Sequence, residues 1–449
     1  MNLRFVLLGG SIFAAVFLVA AIVTEFTDES RLARDNHQNK CTFLKRDPEA
    51  RLDPTLTPER PNTNVVKVIR LTNQGEFVDR CELTDALNEM VWDRRPPSCR
   101  DKRPEHEDLI RRGECDERGP TVKADAVEKP KLIVLFVHGW THNAREGDPN
   151  YVDFKAMISE LSKDSTKQVV GVYVTWNAST GNAVLDLASF WSRQRIADRI
   201  TQSGVITRIV SMISTNRSHS GHRDQFIAIG HSFGARMLFA AINPPMIFAA
   251  ANAFPKAEPH VYKDIDAVAD AVVLLNPAFE ASRYATINGI MRNEETFFPT
   301  QRPLLVAIST DNDWSTRYLF PLGQYLGFSF DWRAGTTLGN YSDYYTHSLL
   351  PSTEDACPTS ALTERFFAVD LCLRRETEWH YKPGTKDESD PYGWAQVRPE
   401  SQKHNPFLVV RTTSKVINGH SEIWKTKGSL GWLLAFVRAI NSLDKVVTR

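Results

Sequence analysis

The stretch from residue 225 to residue 236 constrains the fold of this chain more than any other. Its sequence is QFIAIGHSFGAR, in which an apolar run ends at Gly230 and is followed by Ser232 and Gly234. The two glycines indicate a tight turn, because a side chain at either position would collide with the segments beside it. The apolar run is typical of a buried strand, and the residues after the turn are good helix formers. The stretch therefore predicts a strand, a sharp turn that presents Ser232, and a helix.

This order of strand, glycine-flanked serine and helix is that of a nucleophile elbow. The serine would lie at the carboxyl edge of a sheet and point toward the start of the helix, where developing negative charge is favoured. The helix is expected to close at Asn243-Pro244-Pro245. The G-x-S-x-G pattern is weak by itself, and an ordinary glycine-rich turn is the alternative. The flanking strand and helix favour a nucleophilic serine.

Further apolar runs predict a parallel sheet around this turn. Uninterrupted runs of this kind are typical of strands that are buried on both faces. Ahead of the elbow, residues 187–213 carry apolar residues at helical spacing with arginines among them. This pattern favours a covering helix with a solvated face over an anion site. The alternation of strand and helix implies parallel strands joined by right-handed crossovers. The apolar runs are residues 131–138, 169–176, 270–276, 304–309 and 406–411.

Together these stretches resemble the α/β-hydrolase superfamily, and the resemblance covers about residues 130 to 445. It implies an α/β fold in which helices cover both faces of a mostly parallel sheet, with a large insertion before the last strand. In this family, a His-Gly pair after the first core strand opens the oxyanion loop, and His138-Gly139 occupies that place. Carried over to this chain, the backbone N–H groups of Trp140 and Phe233 would stabilise an oxyanion.

The resemblance places the catalytic acid after the run that ends at Ser309. Two carboxylates follow there, Asp311 and Asp313. The family's acid usually lies about three residues beyond a small residue at the end of the strand, and Thr310 takes that position here. This spacing selects Asp313. Asp311 is expected to cap the turn by bonding backbone N–H groups near residue 313.

The resemblance places the catalytic base between the last strand and the closing helix. His420 lies there, ahead of an amphipathic pattern over residues 430–440. The order serine, aspartate, histidine along the chain is that of the superfamily. His138 and His142 are expected to pack against or cap the oxyanion loop, because His420 is the better candidate for the base.

The resemblance therefore implies a serine hydrolase that cleaves carboxylic esters through an acyl-enzyme intermediate. Small-molecule or lipid esters are the expected substrates. A peptidase or an acyltransferase with the same residues is an alternative, as is a membrane-tethered binding protein that has lost activity. The implied catalytic residues are Ser232, Asp313 and His420, with oxyanion donors Trp140 and Phe233 and elbow glycines Gly230 and Gly234.

Composition and motifs exclude several other classes of function. Lysine plus arginine and aspartate plus glutamate both number 54, so the formal charge is zero. A neutral chain argues against a nucleic-acid partner, which requires a basic excess. The sequence contains no P-loop, C-x-x-C or H-E-x-x-H motif, so we expect neither a cofactor nor a metal. The oligomeric state is left open.

The N-terminal segment predicts a membrane anchor. Residues 5–24 carry no charge, and a helix of that length spans about 30 Å, the hydrocarbon thickness of a bilayer. Arg4 precedes the segment and acidic residues follow it, which places the N-terminus inside. Its length favours an uncleaved anchor over a cleaved signal peptide. Either interpretation places the rest of the chain outside the cytoplasm, in the periplasm or the extracellular or luminal space.

Six cysteines lie outside the predicted core strands, which suits disulfides in an oxidising compartment. Free thiols in a cytosolic enzyme are the alternative. The cysteines are Cys41, Cys81, Cys99, Cys115, Cys357 and Cys372.

Three regions are expected along the chain. Residues 1–24 form the anchor or signal, residues 25–130 a polar, cysteine-containing extension, and residues 131–449 the hydrolase domain. An aromatic-rich insertion at about residues 322–405 could line a substrate pocket or cap the site. It could equally form a small satellite core.

Overall fold

The computed structural model describes ten segments of the chain. The predicted anchor and five of the six cysteines lie outside these segments, and Cys81 is the sixth. The anchor and the disulfides therefore stay predictions. The segments are residues 65–90, 130–179, 183–219, 224–254, 261–291, 297–298, 301–326, 331–349, 405–424 and 427–442.

Within the described segments, eight parallel strands form one sheet, which confirms the predicted α/β class. Their order across the sheet is β1-β3-β2-β4-β5-β6-β8-β7. The strands are β1 (Val65–Arg70), β2 (Lys131–Val137), β3 (Gln168–Thr175), β4 (Gln225–His231), β5 (Ala271–Leu275), β6 (Leu305–Thr310), β7 (His347–Leu349) and β8 (Phe407–Thr412).

The helices of the described segments connect these strands. Short 3₁₀ turns cover Ala281–Tyr284, Leu338–Asn340 and Ser342–Tyr344, and a π-helical turn covers Ser315–Leu319. The α-helices are α1 (Cys81–Met90), α2 (Pro149–Asp164), α3 (Ala183–Gln202), α4 (Val205–His219), α5 (Phe233–Ala253), α6 (Ala285–Met291), α7 (Phe320–Leu326), α8 (Trp332–Gly335) and α9 (Lys427–Ser442).

The core lies on both faces of the sheet. Successive side chains of a strand point to opposite faces, so Leu135 of β2 packs with α3, α4 and α5, whereas Phe136 packs with α2 and α9. Strands β2, β4, β5 and β6 are buried along their whole length. This double burial explains why they read as continuous apolar runs in the sequence.

The sheet begins earlier in the chain than the expected boundary at residue 131. Strand β1 pairs with β3 from Val65 to Arg70, and α1 packs its buried face, including Leu83 and Met90, into the same core. As an edge strand, β1 is only half-buried and carries Lys67 and Arg70, so its sequence lacks the apolar run of a central strand. Residues 65–90 are thus part of the main body.

Two helix boundaries differ from the sequence expectation. Residues 187–213 do not form one helix, because Gly204 has a φ of 73° and separates α3 from α4. Helix α5 does not close at Asn243-Pro244-Pro245 but continues to Ala253. The residues beyond the prolines include the buried Met246 and Ala250, and this packing outweighs the hydrogen bonds that two prolines remove.

Part of the expected insertion belongs to the main body. Within residues 331–349, Leu338, Tyr341 and Tyr344 are buried in the core that α5 faces. Strand β7 pairs with β8 and extends the sheet. Most of the remaining insertion lies outside the described segments. Helix α5 is long and apolar enough to cross a membrane, but it is mostly buried inside the protein as a core helix.

Candidate active site

The site lies at the carboxyl ends of the neighbouring strands β2 and β4, where the path of the chain across the sheet changes direction. Strand β3 lies on one side of β2 and β4 lies on the other, so the chain leaves the carboxyl ends of β2 and β4 in opposite directions. Such a switch point opens a crevice at the sheet edge, and α/β proteins bind ligands there. Trp140 follows β2, and Ser232 follows β4 directly.

Ser232 occupies a strained turn between β4 and α5. Its φ is 54° and its ψ is −118°, a conformation that residues other than glycine seldom adopt. The neighbouring strand holds the turn, since the Ser232 N–H donates to the Leu275 carbonyl at 3.0 Å and the Ser232 carbonyl accepts from the Ala278 N–H at 3.2 Å. Backbone strain of this kind persists where the surroundings over-determine it, typically at functional sites.

The two glycines of the turn are required by close contacts. A Cβ at Gly234 would lie 2.1 Å from the Val137 carbonyl oxygen, and a Cβ at Gly230 would lie 2.7 Å from the Ala235 Cα. Both neighbours are backbone atoms that cannot move aside cheaply. The predicted reason for these glycines is therefore the one that the structure shows.

Ser232, His420 and Asp313 form one hydrogen-bonded chain. The His420 Nδ1 lies 2.8 Å from Asp313 Oδ2, and the His420 Nε2 lies 2.7 Å from Ser232 Oγ. An ionised carboxylate only accepts, so Nδ1 carries the proton and Nε2 is left to accept from the serine hydroxyl. The three residues follow β4, β8 and β6, whose carboxyl ends share one edge of the sheet.

Asp313 is completely buried and ionised. Burial raises the pKa of this carboxyl, but the charge and hydrogen bond of His420 and a hydrogen bond from the Thr316 N–H at 3.1 Å outweigh it. The net pKa lies below its ordinary value. The carboxylate therefore keeps its negative charge beside the imidazole at neutral pH.

Asp311 does not contact His420 within the described segments. Within the described segments its carboxylate makes no hydrogen bond, so the expected capping of the turn by this side chain is wrong. Its backbone does bond, because its N–H donates to the Thr412 carbonyl at 3.0 Å and its carbonyl accepts from Arg317 Nη1 at 2.9 Å. The capping acceptor of this turn is Asp313 itself, through Thr316.

The expected oxyanion donors both belong to segments that contact Ser232. Phe233 is the first residue of α5, and the first N–H groups of a helix have no intrahelical acceptor. Trp140 follows Gly139, where an added Cβ would lie only 2.8 Å from the Ser232 Cβ. The loop is fixed further on by Thr141, whose N–H donates to the Ala178 carbonyl at 3.0 Å.

His138 packs beneath the loop that follows β2, as expected from the sequence. Its Nδ1–H donates to the Gly139 carbonyl at 2.8 Å, and its Nε2 accepts from the Trp176 N–H at 3.2 Å and the Thr175 hydroxyl at 2.8 Å. Burial lowers the pKa of His138 to about 3, so the ring is neutral at physiological pH. It does not contact Ser232 as a base would.

His142 also supports the loop. Its Nδ1 lies 3.4 Å from Asp148 Oδ2, and Asp148 caps the start of α2 by accepting from the Tyr151 N–H at 3.2 Å. Burial raises the pKa of Asp148, but the hydrogen bond and charge of His142 lower it further, so the net pKa is below the usual value. The pair ties the loop after β2 to α2.

Helix α5 is anchored by a buried arginine one turn after the serine. Arg236 Nε lies 2.7 Å from Asp198 Oδ1 of α3, and Arg236 Nη1 lies 2.9 Å from Glu280 Oε2 after β5. Burial raises the pKa of Glu280, but Arg236 and Arg283 outweigh it, so the net pKa is lowered. Two carboxylates on a buried guanidinium fix the helix relative to its neighbours.

Aromatic rings pack around the two expected oxyanion donors, Trp140 and Phe233. The ring of Phe190 in α3 lies 5.0 Å from that of Phe233 and 5.1 Å from that of Trp140. Behind it, Trp191 packs on α7 so closely that a Cβ at Gly323 would fall 1.9 Å from its Nε1. These contacts form a buried aromatic cluster next to the turn that carries Ser232.

Three polar residues near His420 were not singled out from the sequence. His231 and Asn276 bond to the backbone of the His420 loop, and Asn312 Oδ1 accepts from the Gly419 N–H at 2.9 Å. Asn276 ends the apolar run of β5 and has a φ of 44°. An asparagine in that place is a sequence signal that could have been recognised, because asparagine tolerates positive φ better than most residues.

No group of histidine, cysteine, aspartate and glutamate residues within the described segments is arranged to hold a metal ion. Comparison of the sequence with protein-family models gives no match, and comparison with curated proteins gives no significant match.

Proposed function

We propose that this protein is a serine hydrolase of the α/β-hydrolase superfamily that cleaves carboxylic esters. The observation that carries the proposal is the hydrogen-bonded chain from Ser232 through His420 to Asp313 at the carboxyl edge of a parallel sheet. A serine and a base within hydrogen-bond reach, with the base oriented by a third group, are the signature of an activated nucleophile.

The first half of the reaction forms an acyl-enzyme. His420 Nε2 takes the proton of the Ser232 hydroxyl while Oγ attacks the ester carbonyl carbon. Asp313 holds the imidazole in the required tautomer and stabilises its charged form. The carbonyl oxygen becomes an oxyanion and accepts from the N–H groups of Trp140 and Phe233. His420 then gives its proton to the departing alcohol as the carbonyl re-forms.

In the second half of the reaction, water hydrolyses the acyl-enzyme. His420 Nε2 takes a proton from water, whose oxygen attacks the acyl carbon and re-forms the oxyanion. The Ser232–acyl bond breaks, and His420 returns its proton to Ser232 Oγ. The products are a carboxylic acid and free enzyme, so no cofactor is consumed.

Esters are the proposed substrates because an alcohol leaves more readily than an amine, and because esters are the commonest substrates of this superfamily. The second reason is an argument from analogy. The proposed class of substrate is small-molecule or lipid esters.

We also propose that the enzyme is anchored in a membrane, with its catalytic domain outside the cytoplasm. The uncharged segment at residues 5–24 supports a membrane anchor, and the even number of cysteines supports an oxidising compartment outside the cytoplasm.

Hydrolysis of p-nitrophenyl esters by purified protein tests the proposed activity. Ser232→Ala and His420→Ala should each abolish turnover. Their residual rates should agree within an order of magnitude, because such residues act as a unit. A Ser232→Ala protein that hydrolyses these esters at the wild-type rate would contradict the proposal. A panel of amides and alcohol acceptors would separate a peptidase or an acyltransferase from an esterase.

A further inference from the structure

The backbone carbonyl of His420 is held by two side chains that take no part in the Ser232–His420–Asp313 chain. Asn276 Nδ2 donates to this oxygen at 3.0 Å, and His231 Nε2 lies 2.9 Å from it. Both residues come from the strands at the centre of the sheet, since His231 ends β4 and Asn276 follows β5. The loop that carries the base is thereby fastened to the most rigid part of the molecule.

Asn276 uses its whole side-chain amide for this purpose. Its Nδ2 donates to the carbonyls of His420 at 3.0 Å and Gly419 at 3.1 Å, and its Oδ1 accepts from the Thr310 N–H at 3.1 Å. Thr310 lies three residues before Asp313. One side chain therefore joins the loop of the acid to the loop of the base.

His231 is fixed as a hydrogen-bond donor. It is completely buried, and a carbonyl only accepts, so the nitrogen that faces His420 must carry the proton. Burial, together with the neighbouring His420 and His142, lowers the pKa of His231 well below its ordinary value. The ring is thus a neutral donor through Nε2, and its Nδ1 has no hydrogen-bond partner within the described segments.

The loop needs such support at this point. Gly419 precedes the base and has a φ of 68°, so the residue next to His420 is the one with the greatest backbone freedom. Displacement of a catalytic group by about 1 Å can cost about 100-fold in rate. Hydrogen bonds to the His420 carbonyl remove this freedom, and the His231 ring also packs against the His420 ring with 5.2 Å between the ring centroids.

We propose that Asn276 and His231 are positioning residues, which hold His420 by its main chain so that the imidazole stays between Ser232 and Asp313. This inference rests on the proposed function, because it assigns the two residues to the same reaction. Neither residue hydrogen-bonds to a reacting atom within the described segments, and both act through His420.

Matched substitutions separate hydrogen bonding from packing. His231→Gln can place an amide N–H near the position of Nε2, whereas His231→Leu has similar bulk and no donor. Asn276→Gly keeps the positive φ without strain and removes the amide. We expect His231→Leu and Asn276→Gly to lower kcat about 100-fold with KM within about threefold of wild type. His231→Gln should recover most of the lost rate.

His347→Leu is the control for loss of a buried imidazole outside the site. His347 lies on the edge strand β7, and its Nδ1 lies 3.0 Å from the Thr346 hydroxyl oxygen. It should lower the melting temperature and leave kcat at the wild-type value. Unchanged kcat in His231→Leu and Asn276→Gly would overturn the proposal, and so would a loss that His231→Gln shares in full.

A spectroscopic measurement tests the inference separately from turnover. The proton on His420 Nδ1 faces a buried carboxylate at 2.8 Å and should give a low-field proton NMR signal that His420→Ala abolishes. His231→Leu and Asn276→Gly should broaden or shift this signal, whereas His347→Leu should not. An unaltered signal in both His231→Leu and Asn276→Gly would refute the inference, whether or not the wild-type protein is active. A wild-type protein that is inactive but shows the expected changes of signal would refute only the proposed function.

Discussion

Asp311 and Asp313 are two residues apart, and only Asp313 reaches His420. The sequence selected Asp313 through the spacing that the superfamily uses. The structure supplies the physical reason, because Asp313 turns inward, is completely buried and accepts from both His420 and Thr316. The direction of a loop side chain depends on distant contacts, so the sequence alone could not show it.

Exchanging each carboxylate for an amide tests this assignment. Asp313→Asn should lower kcat by about 10⁴-fold, because an amide favours the wrong tautomer of His420. Asp311→Asn should leave kcat unchanged, since its carboxylate makes no hydrogen bond within the described segments. Paired kcat and thermal-melting measurements check both. The reverse pattern would move the acid two residues upstream.

The buried neutral His138 predicts a loss of stability in acid. Unfolded histidine takes up a proton below about pH 6.5, whereas the pKa of folded His138 is about 3. The stabilisation is therefore complete above pH 6.5 and is lost as the pH falls toward 3. His138 should therefore lower the free energy of unfolding by about 1.4 kcal/mol for each unit by which the pH falls in that window.

Urea titrations between pH 7 and pH 4 measure this slope. His138→Gln should reduce the slope of the unfolding free energy against pH by about 1.4 kcal/mol per pH unit, which corresponds to the uptake of one proton. A variant whose slope equals that of the wild type would show that His138 is not held neutral in the folded protein.

At the scale of helices and strands, the sequence predicted the strands better than the helix ends. The central strands are buried on both faces, so their composition alone identifies them. The break at Gly204 and the passage of α5 through two prolines depend on packing between helices. Strand β1 lies at the edge and is half-buried, which is why the expected domain boundary missed it.

The contact of α7 with α3 gives a prediction for two glycines. A Cβ at Gly323 would overlap the Trp191 ring at 1.9 Å, whereas a Cβ at Gly289 in α6 would meet nothing within 4 Å. Gly323→Ala should therefore lower the free energy of unfolding by about 1–3 kcal/mol through overpacking. Gly289→Ala should raise it by about 0.5–1 kcal/mol, because alanine favours the helix. Chemical denaturation of both variants checks this, and equal effects would contradict the packing of Trp191.

At the scale of the whole molecule, the sequence named the three residues that the structure brings into one hydrogen-bonded chain. It succeeded because parallel strands deliver their carboxyl ends to one edge, so residues that follow different strands meet there. It did not find Asn276 or His231, which act on a backbone carbonyl. The contact of His231 leaves no motif in the sequence, whereas the asparagine at the end of β5 is a signal that could have been recognised.

The six cysteines allow a test of the predicted oxidising compartment. If the body of the protein lies outside the cytoplasm, at least two of its six cysteines should be joined in a disulfide. Alkylation of native protein without reductant, followed by mass spectrometry, counts the free thiols. Six alkylated cysteines would contradict the assignment to an oxidising compartment.

Fluorophosphonate labelling tests the central claim most directly, because only an activated serine reacts with such a probe. Intact mass and peptide mapping of labelled wild-type protein should show one adduct on Ser232. The labelling rate should fall by orders of magnitude in His420→Ala, and no adduct should form in Ser232→Ala. A wild-type protein that stays unlabelled, or that carries its adduct on another residue, would contradict the assignment of Ser232 as an activated nucleophile.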